Sequence, residues 1–537
     1  MNQRTTRDRR TRKRATGTIL AVTLTLTACV GEPGDREPRP DSAAFTNVRD
    51  HLPGAETLNV TCPDGAWEPQ DRDGNPVTVG DANGDPTSRL AIDIGETITV
   101  TDPLTGKNLD LLCVPEFLPE FGDEWIGEWA GMGLISNVRW RPVLHAFLAG
   151  GAVSTRIHEI VVDPYGVIRS YRLVVGIPSA MEQDPVTGGI ISQMYPDQNV
   201  PTETGEPWPM PGAAAPGTPP EGSHILVRTT PETTLRLEAP RRSLRLDGHD
   251  FAVTAEGNFL AIGYELIEEP GESFVIPALA PNRCRDRKPG EPVTTLRARV
   301  VEYARDGSVV KIWRSEDHLP AGVGPAIRFG VPEIDGKRVC VYDIEHPNAI
   351  DVTDDGDVIV GFRNALTPAV LIDWESGRIR WTLGGEGPQA LTVKNDPYDG
   401  PVASHDATLT RENGSNILAI LDNNSGRGTP RYVRYALDET AGTATLITEI
   451  PLSCREGTCY SLLGGSAHVF RGEGETAEML LNLGGIVTED VTVPINGQLL
   501  YYRGEELVNT IPLGPWWLYR ATVYSEEPWA RSSPAGN

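Results

Sequence analysis

The stretch from Cys340 to Gly385 constrains the fold more than any other part of the chain. Four short apolar runs lie in it, Ala349–Val352, Val358–Phe362, Ala369–Ile372 and Ile379–Leu383. Turn signals separate them: Asp354-Asp355-Gly356, Asn364 to Pro368, and Glu375-Ser376-Gly377. Val- and Ile-rich runs of this length, bounded by Gly and Asp, predict strands. Four antiparallel strands joined by tight turns make one blade of a β-propeller. His346 enters the first of these strands and Arg363 leaves the second. Neighbouring strands run in opposite directions, so those two ends lie side by side.

The pattern recurs on both sides. His249 precedes Gly257 by eight residues, His346 precedes Gly356 by ten, and His405 precedes Gly414 by nine. Each copy has a His at the entrance of a first strand, a Gly-containing turn and an apolar second strand. A motif repeated at tens of residues means a repeat architecture. In a propeller the innermost strand of each blade lines the central channel, so the three histidines are expected to meet at one mouth of it. The chain therefore reads as all-β, a β-propeller with a small N-terminal β domain.

Several blocks, in order, carry a resemblance to a known family. They are GHDF at Gly248–Phe251, WRSEDHL at Trp313–Leu319, EHPNAI at Glu345–Ile350, GFRNALTPAVLID at Gly361–Asp373 and WTLGG at Trp381–Gly385. SHDA at Ser404–Ala407, LDNNS at Leu421–Ser425, RYVRYALDE at Arg431–Glu439 and YRA at Tyr519–Ala521 follow. Over residues 247–521 the chain resembles the bacterial aryl-sulfate sulfotransferases (arylsulfotransferases). The resemblance implies a six-bladed propeller that moves a sulfuryl group from one phenol to another without a nucleotide cofactor. It departs from the family at Gly248 and Ser404, where some members carry a second His or Gln, and over the first two blades.

The chain opens with a processing signal. Residues 2–14 hold six Arg and one Lys against one Asp, and an apolar, Thr-rich run follows from Ala15 to Ala28. That run is too short for a permanent transmembrane helix and fits a secretory leader. It ends Leu26-Thr27-Ala28-Cys29, which looks like a bacterial lipobox, so Cys29 is the expected lipidation site and the expected location is the cell envelope, lipid-anchored and outside the cytoplasm. An ordinary signal peptide followed by a coincidental Cys is the alternative. The expected organisation is a leader over 1–28, a Pro-, Gly- and acid-rich tether over 29–47, an N-terminal β domain over 48–118 and the propeller over 119–530. The propeller is expected to start near Trp125, with a Pro-, Gly- and Ala-rich insertion at 198–222. Residues 264–296 and 318–345 are expected as loops over one face.

The formal charge is -26, and without residues 1–28 it becomes about -32. Such a surface disfavours nucleic acid, because no basic patch is available to neutralise phosphates. It also gives no long-range attraction for sulfate esters, so an anion site must be a local pocket. Apart from Cys29 there are six cysteines, Cys62, Cys113, Cys284, Cys340, Cys454 and Cys459. An even set in an exported chain suggests disulfides. Nearest pairing gives 62–113, 284–340 and 454–459, one of fifteen connectivities. The segments Asp71–Asn75 and Asp81–Asp85 mimic the start of a calcium loop but lack its closing Glu, and turns are the favoured reading.

Sulfuryl transfer needs a nucleophile for sulfur, a cradle for three anionic oxygens, and proton handling at two phenol oxygens. Histidine suits the first and third tasks because it titrates near neutrality. Arginine suits the second, with its planar fork of donors. The resemblance assigns His405 as nucleophile, Arg363 and His346 as holders of the sulfuryl oxygens, and His249 as a binding or proton-handling group. Asn348, two residues after His346, is placed to donate a further hydrogen bond to substrate. Asp250 and Asp406 each follow a His and are expected as structural caps. His51, His145, His158, His224 and His468 lack repeat support and are read as structural; His318 could reach the same face. The implied partners are an aryl sulfate donor and a phenolic acceptor, with no cofactor. A non-catalytic cell-surface propeller that binds an anionic or aromatic ligand, and a metal-dependent enzyme with three His ligands, are the competing readings.

Overall fold

The computed structural model describes residues 45–49, 57–116, 132–139, 156–195, 224–271, 284, 290–452, 460–487, 498–512 and 520–524, apart from short gaps inside these ranges. All of them fall in the unit Ala43–Asn537. The leader, Cys29, most of the tether, Trp125, the 198–222 insertion, His51, His145, Cys454 and Cys459 lie outside the described residues. The named elements are β-strands and short 3-10 turns, so the all-β reading holds.

The N-terminal sheet has five strands in the order Thr57–Val60, Asn108–Cys113, Thr97–Thr101, Val79–Gly80, Pro86–Thr87. Its apolar side is filled by Phe45, Val60, Trp67, Ile92 and Leu111, and the Cys62–Cys113 disulfide ties it with Cα atoms 5.9 Å apart. The calcium-like segments are turns: Asp71 Oδ1 accepts from the Asp73 and Asn75 amides, and Asp81 Oδ1 from the Asn83 and Asp85 amides. A carboxylate committed to its own backbone in this way is an Asx-type turn. Asn59 joins this sheet to the next, donating to the Ile168 carbonyl and accepting from its amide, both at 2.8 Å.

Antiparallel sheets follow in chain order. One consists of Ile168–Val175, Arg156–Val162 and Met132–Arg139, completed by the last described strand of the chain, Arg520–Tyr524. The next runs Ile177–Gln183, Ile190–Tyr195, His224–Arg228, Thr234–Glu238. The third contains Leu244–Val253, Phe259–Glu269 and Val293–Tyr303, with Val309–Arg314 paired to the last of these. Here the two ends of the expected loop over 264–296 are corrected, while most of 272–292 lies outside the described residues. Tyr264 to Glu269 pair residue for residue with Ala298 to Val293, so the two strands extend well past the point where the apolar pattern fades. Short strands at Arg328–Gly330 and Val341–Asp343 extend the same sheet, which also corrects part of the expected 318–345 loop. The Cys284–Cys340 pair, Cα atoms 5.4 Å apart, closes this region.

The stretch that organised the sequence forms four strands, Pro347–Val352, Val358–Phe362, Ala369–Asp373 and Arg378–Leu383. Through Ala390–Lys394 they continue into Thr443–Pro451, Arg431–Asp438, Ser415–Asp422 and His405–Glu412, giving one nine-stranded sheet. The sheet nearly closes on itself, because its two edge strands meet. Gly361 permits that approach: a Cβ there would stand 3.0 Å from Ala349 Cβ and 3.2 Å from Ala407 Cβ. The space between the two arms is filled by Ile359, Leu371, Trp381, Leu418, Ile420 and Tyr435. Each such side chain contributes roughly 1.5–3 kcal/mol by leaving water. A final sheet holds Ser466–Arg471, Glu478–Asn482, Gln498–Arg503 and Glu506–Pro512.

Candidate active site

The strands carrying the sequence-selected histidines share one local device. In each, the ladder register slips near the His: between Leu246 and Phe251, between Pro347 and Ala349, and between His405 and Ala407. A bulge of this kind bends the strand and re-aims a side chain. His346 (φ +52°) and Asp406 (φ +53°) occupy the left-handed region to make the bend, which is uncommon for residues with a Cβ. The three histidines are not strictly equivalent, which corrects the repeat argument. His249 and His405 stand two residues before the residue that resumes pairing, whereas His346 stands three before.

The structure brings the selected residues together. The His249 and His346 rings meet edge to face with centroids 5.0 Å apart. The Arg363 amide donates to the His346 carbonyl at 3.0 Å, so the two strand ends are adjacent as expected. Asn348 Nδ2 donates to the Ser404 carbonyl at 2.8 Å, tying the His346 segment to the one that bears His405. One donor of Asn348 is thus committed to backbone, while its Oδ1 is buried without a hydrogen-bond partner. His346, Arg363 and His405 are buried. His318 lies apart, stacked on Trp313 with centroids 5.3 Å away.

Each ring nitrogen Nδ1 has a partner that sequence reasoning missed. His249 Nδ1 contacts Asp247, His346 Nδ1 lies 2.6 Å from Asp343 Oδ2, and His405 Nδ1 lies 2.6 Å from Asn423 Oδ1. Asn423 stands in the LDNNS block, and Asp343 and Asp247 lie two or three residues before their histidines, so spacing alone was the available signal. Burial pushes the His405 imidazolium well below the usual histidine range, and the Arg363, Arg520 and His249 charges add to it. Burial also lowers His346, but Asp343 opposes the shift. Asp247 is held below the ordinary carboxylate range despite its burial, by the charge and hydrogen bonds of His249.

Beneath this cluster, Arg520 on the last strand forms ion pairs with Asp250 (3.0 Å) and Asp406 (2.7 Å) and donates to the Asn348 carbonyl (2.8 Å). The two Asp also accept from backbone amides of other sheets, Asp250 from Ile350 and Asp406 from Ala467. They do cap structure, as expected, and in addition clamp three segments through one guanidinium. Asp250, Asp406 and Arg520, together with Glu182, Asp351 and Tyr432, line a cavity of about 200 Å³. Burial and the neighbouring carboxylates raise Asp250 to about 6 against the pull of Arg520, and Asp351 to about 7. Among the described residues no group of three or more His, Cys, Asp or Glu converges as metal ligands.

Comparison with known proteins adds the following. No curated protein matches the chain. Among solved structures it is similar to a protein of unknown function from Dyadobacter fermentans, at 14% identity, over 73% of this chain and 98% of that one, with a TM-score of 0.30. It is also similar to a putative 6-phosphogluconolactonase from Bacteroides fragilis, at 11% identity, over 83% of this chain and 96% of that one, with a TM-score of 0.32. Neither superposition is close enough to bear on fold or chemistry. The sequence match is of a different kind: it spans the Asp343, His346, Arg363, His405 and Asn423 cluster just described. Residues 255–497 match the arylsulfotransferase (ASST) family model.

Proposed function

We propose that this protein moves a sulfuryl group from an aryl sulfate to an acceptor phenol by way of a sulfo-histidine at His405, within a six-bladed β-propeller. The successive antiparallel sheets, and the pairing of the last strand with an early one, support the propeller reading. One observation carries the chemistry: the buried His405 imidazole, its Nδ1 2.6 Å from Asn423 Oδ1, lies among Arg363, Arg520 and His249, in a stretch that matches the arylsulfotransferase family model. His405 offers a neutral nitrogen near neutral pH, which a nucleophile requires. Its lone pair attacks sulfur, the bond from sulfur to the aryl oxygen breaks, and the leaving phenolate takes that electron pair. His249 supplies the proton, and the Arg363 fork and His346 hold the sulfuryl oxygens. The acceptor phenol then returns its proton to the same group and attacks the sulfur, and the pair of electrons goes back to His405.

The test uses a nitrophenyl sulfate donor. Donor alone should release nitrophenol in a single stoichiometric burst and leave one sulfuryl mass on the His405 peptide. Added phenol should then give ping-pong kinetics, and His405→Ala should lose both the burst and turnover. Binding of the donor with no turnover at all would favour the non-catalytic surface module. We also propose export and lipid attachment at Cys29, from the basic stretch and the Leu-Thr-Ala-Cys run. Radioactive fatty acid should label the wild type and not Cys29→Ser; equal labelling of both would refute it.

A further inference from the structure

We infer that Asn423 is a positioning residue: it fixes the tautomer of His405 and keeps the sulfated ring cationic, so that the second transfer is fast. The inference rests on the sulfo-histidine reading above. Its basis is the contrast between the three rings. Two of the histidines face carboxylates through Nδ1, Asp247 and Asp343, but His405 faces a neutral amide.

The orientation of that amide follows from its other contact. Asn423 Nδ2 donates to the Gly464 carbonyl at 3.3 Å. A flipped amide would set two oxygens against each other there, so Oδ1 is the atom facing His405. An amide oxygen only accepts, hence Nδ1 carries the hydrogen and Nε2 carries the lone pair. The Gly464 amide, 3.3 Å from Nε2, points a donor at that lone pair, as the same tautomer requires. Gly465 (φ +116°) lets the glycine pair come this close, since a Cβ there would collide with Leu421. Asn423 is itself 1% exposed, so bulk solvent does not reach its oxygen.

The consequence concerns charge. When Nε2 bonds to sulfur, Nδ1 keeps its hydrogen and the ring becomes a sulfo-imidazolium. Asn423 accepts a hydrogen bond but has no affinity for the proton itself. The ring therefore keeps its positive charge, and the nitrogen–sulfur bond stays weak enough for a phenol to displace. A carboxylate at this position would draw the proton away, leave a neutral sulfo-imidazole and strengthen that bond. It would also raise the pKa of the resting ring, as Asp343 does for His346.

Two measurements test this on the full-length protein. In Asn423→Asp the acidic limb of the single-turnover sulfation rate should move up by about one pH unit or more, the usual effect of an adjacent opposite charge. Transfer from its isolated sulfo-enzyme to phenol should slow at least tenfold. An unmoved limb together with an unchanged transfer rate would overturn the inference. Should that variant not fold, the second measurement uses wild-type protein with ring-15N histidine. The resonances lost in His405→Ala should show a protonated Nδ1 and a bare Nε2; the opposite tautomer overturns the inference. The two proposals fail separately. Absence of a sulfuryl mass on wild-type His405 removes the sulfo-histidine reading, whereas its presence with the wrong tautomer removes only the role of Asn423.

Discussion

Arg520→Met should destabilise the protein in a way that depends on pH. The guanidinium is 7% exposed and pairs with side chains that are 8% (Asp250) and 16% (Asp406) exposed. Methionine fills much of the same volume, so the loss is electrostatic rather than a cavity. Removing one partner from a buried ion pair costs about 3–5 kcal/mol, because the other charge is left uncompensated. About 4 kcal/mol is therefore expected at pH 8. The sign with pH follows from Asp250. Its folded pKa of about 6 is raised above the ordinary value, so the native state binds more protons than the unfolded chain and stability falls as pH rises from about 4 to above 6. Arg520 pulls that pKa down, so its removal raises it further. At pH 5.5 the orphaned carboxyl is protonated in the native state and escapes much of the penalty. At about 1.4 kcal/mol per pH unit, the deficit should shrink to roughly 2 kcal/mol. Urea unfolding followed by tryptophan fluorescence measures both values, with Arg520→Lys as an intermediate. A deficit under about 1 kcal/mol at pH 8, or the same deficit at pH 5.5, would refute the reasoning.

Three further outcomes are expected. Arg363→Lys keeps the charge but loses the fork, and kcat/KM for an aryl sulfate should fall about a hundredfold, close to 3 kcal/mol of transition-state stabilisation. Burial and the Arg363 charge keep His405 neutral to low pH, so the acidic limb of kcat/KM should lie below the histidine value of about 6.5. Replacing both Cys284 and Cys340 by Ser opens a loop of sequence separation 56 and should cost about 2–4 kcal/mol in the same urea assay, without changing which residue is sulfated.

Much of the strand layout was legible because apolar runs and Gly turns report directly on pairing. The expected runs Val358–Phe362 and Ala369–Ile372 became strands almost residue for residue. The adjacency of His346 and Arg363 was legible for the same reason, since adjacent strand ends follow from antiparallel order, and the approach of His249 followed from the recurring His-to-Gly pattern. The bulges were not. Nothing in the composition of Glu345-His346-Pro347 announces a left-handed His, because that conformation is imposed by the strand's neighbours. Arg520 was also hidden: it stood in the YRA block, but its partners Asp250 and Asp406 are set by long-range pairing that no local pattern encodes. Asn423 stood in the LDNNS block with no role of its own, and the Gly464 carbonyl reveals which way its amide faces.

The clamp at Arg520 can form only after nearly the whole chain has been made. Arg520 and Asp250 are 270 residues apart in sequence, and bringing chain segments that distant together costs about 5 kcal/mol of loop entropy. The strand that carries Arg520 also pairs with Met132–Arg139. At roughly ten residues per second, synthesis leaves that earlier strand without its final partner for about half a minute. During that time the nascent chain shows an unpaired strand edge and buried-to-be carboxylates with no counter-charge. A C-terminal deletion ending before Arg520 should therefore remove the clamp under the His cluster along with the closing strand, and the proposed sulfuryl transfer should require the chain through Tyr524.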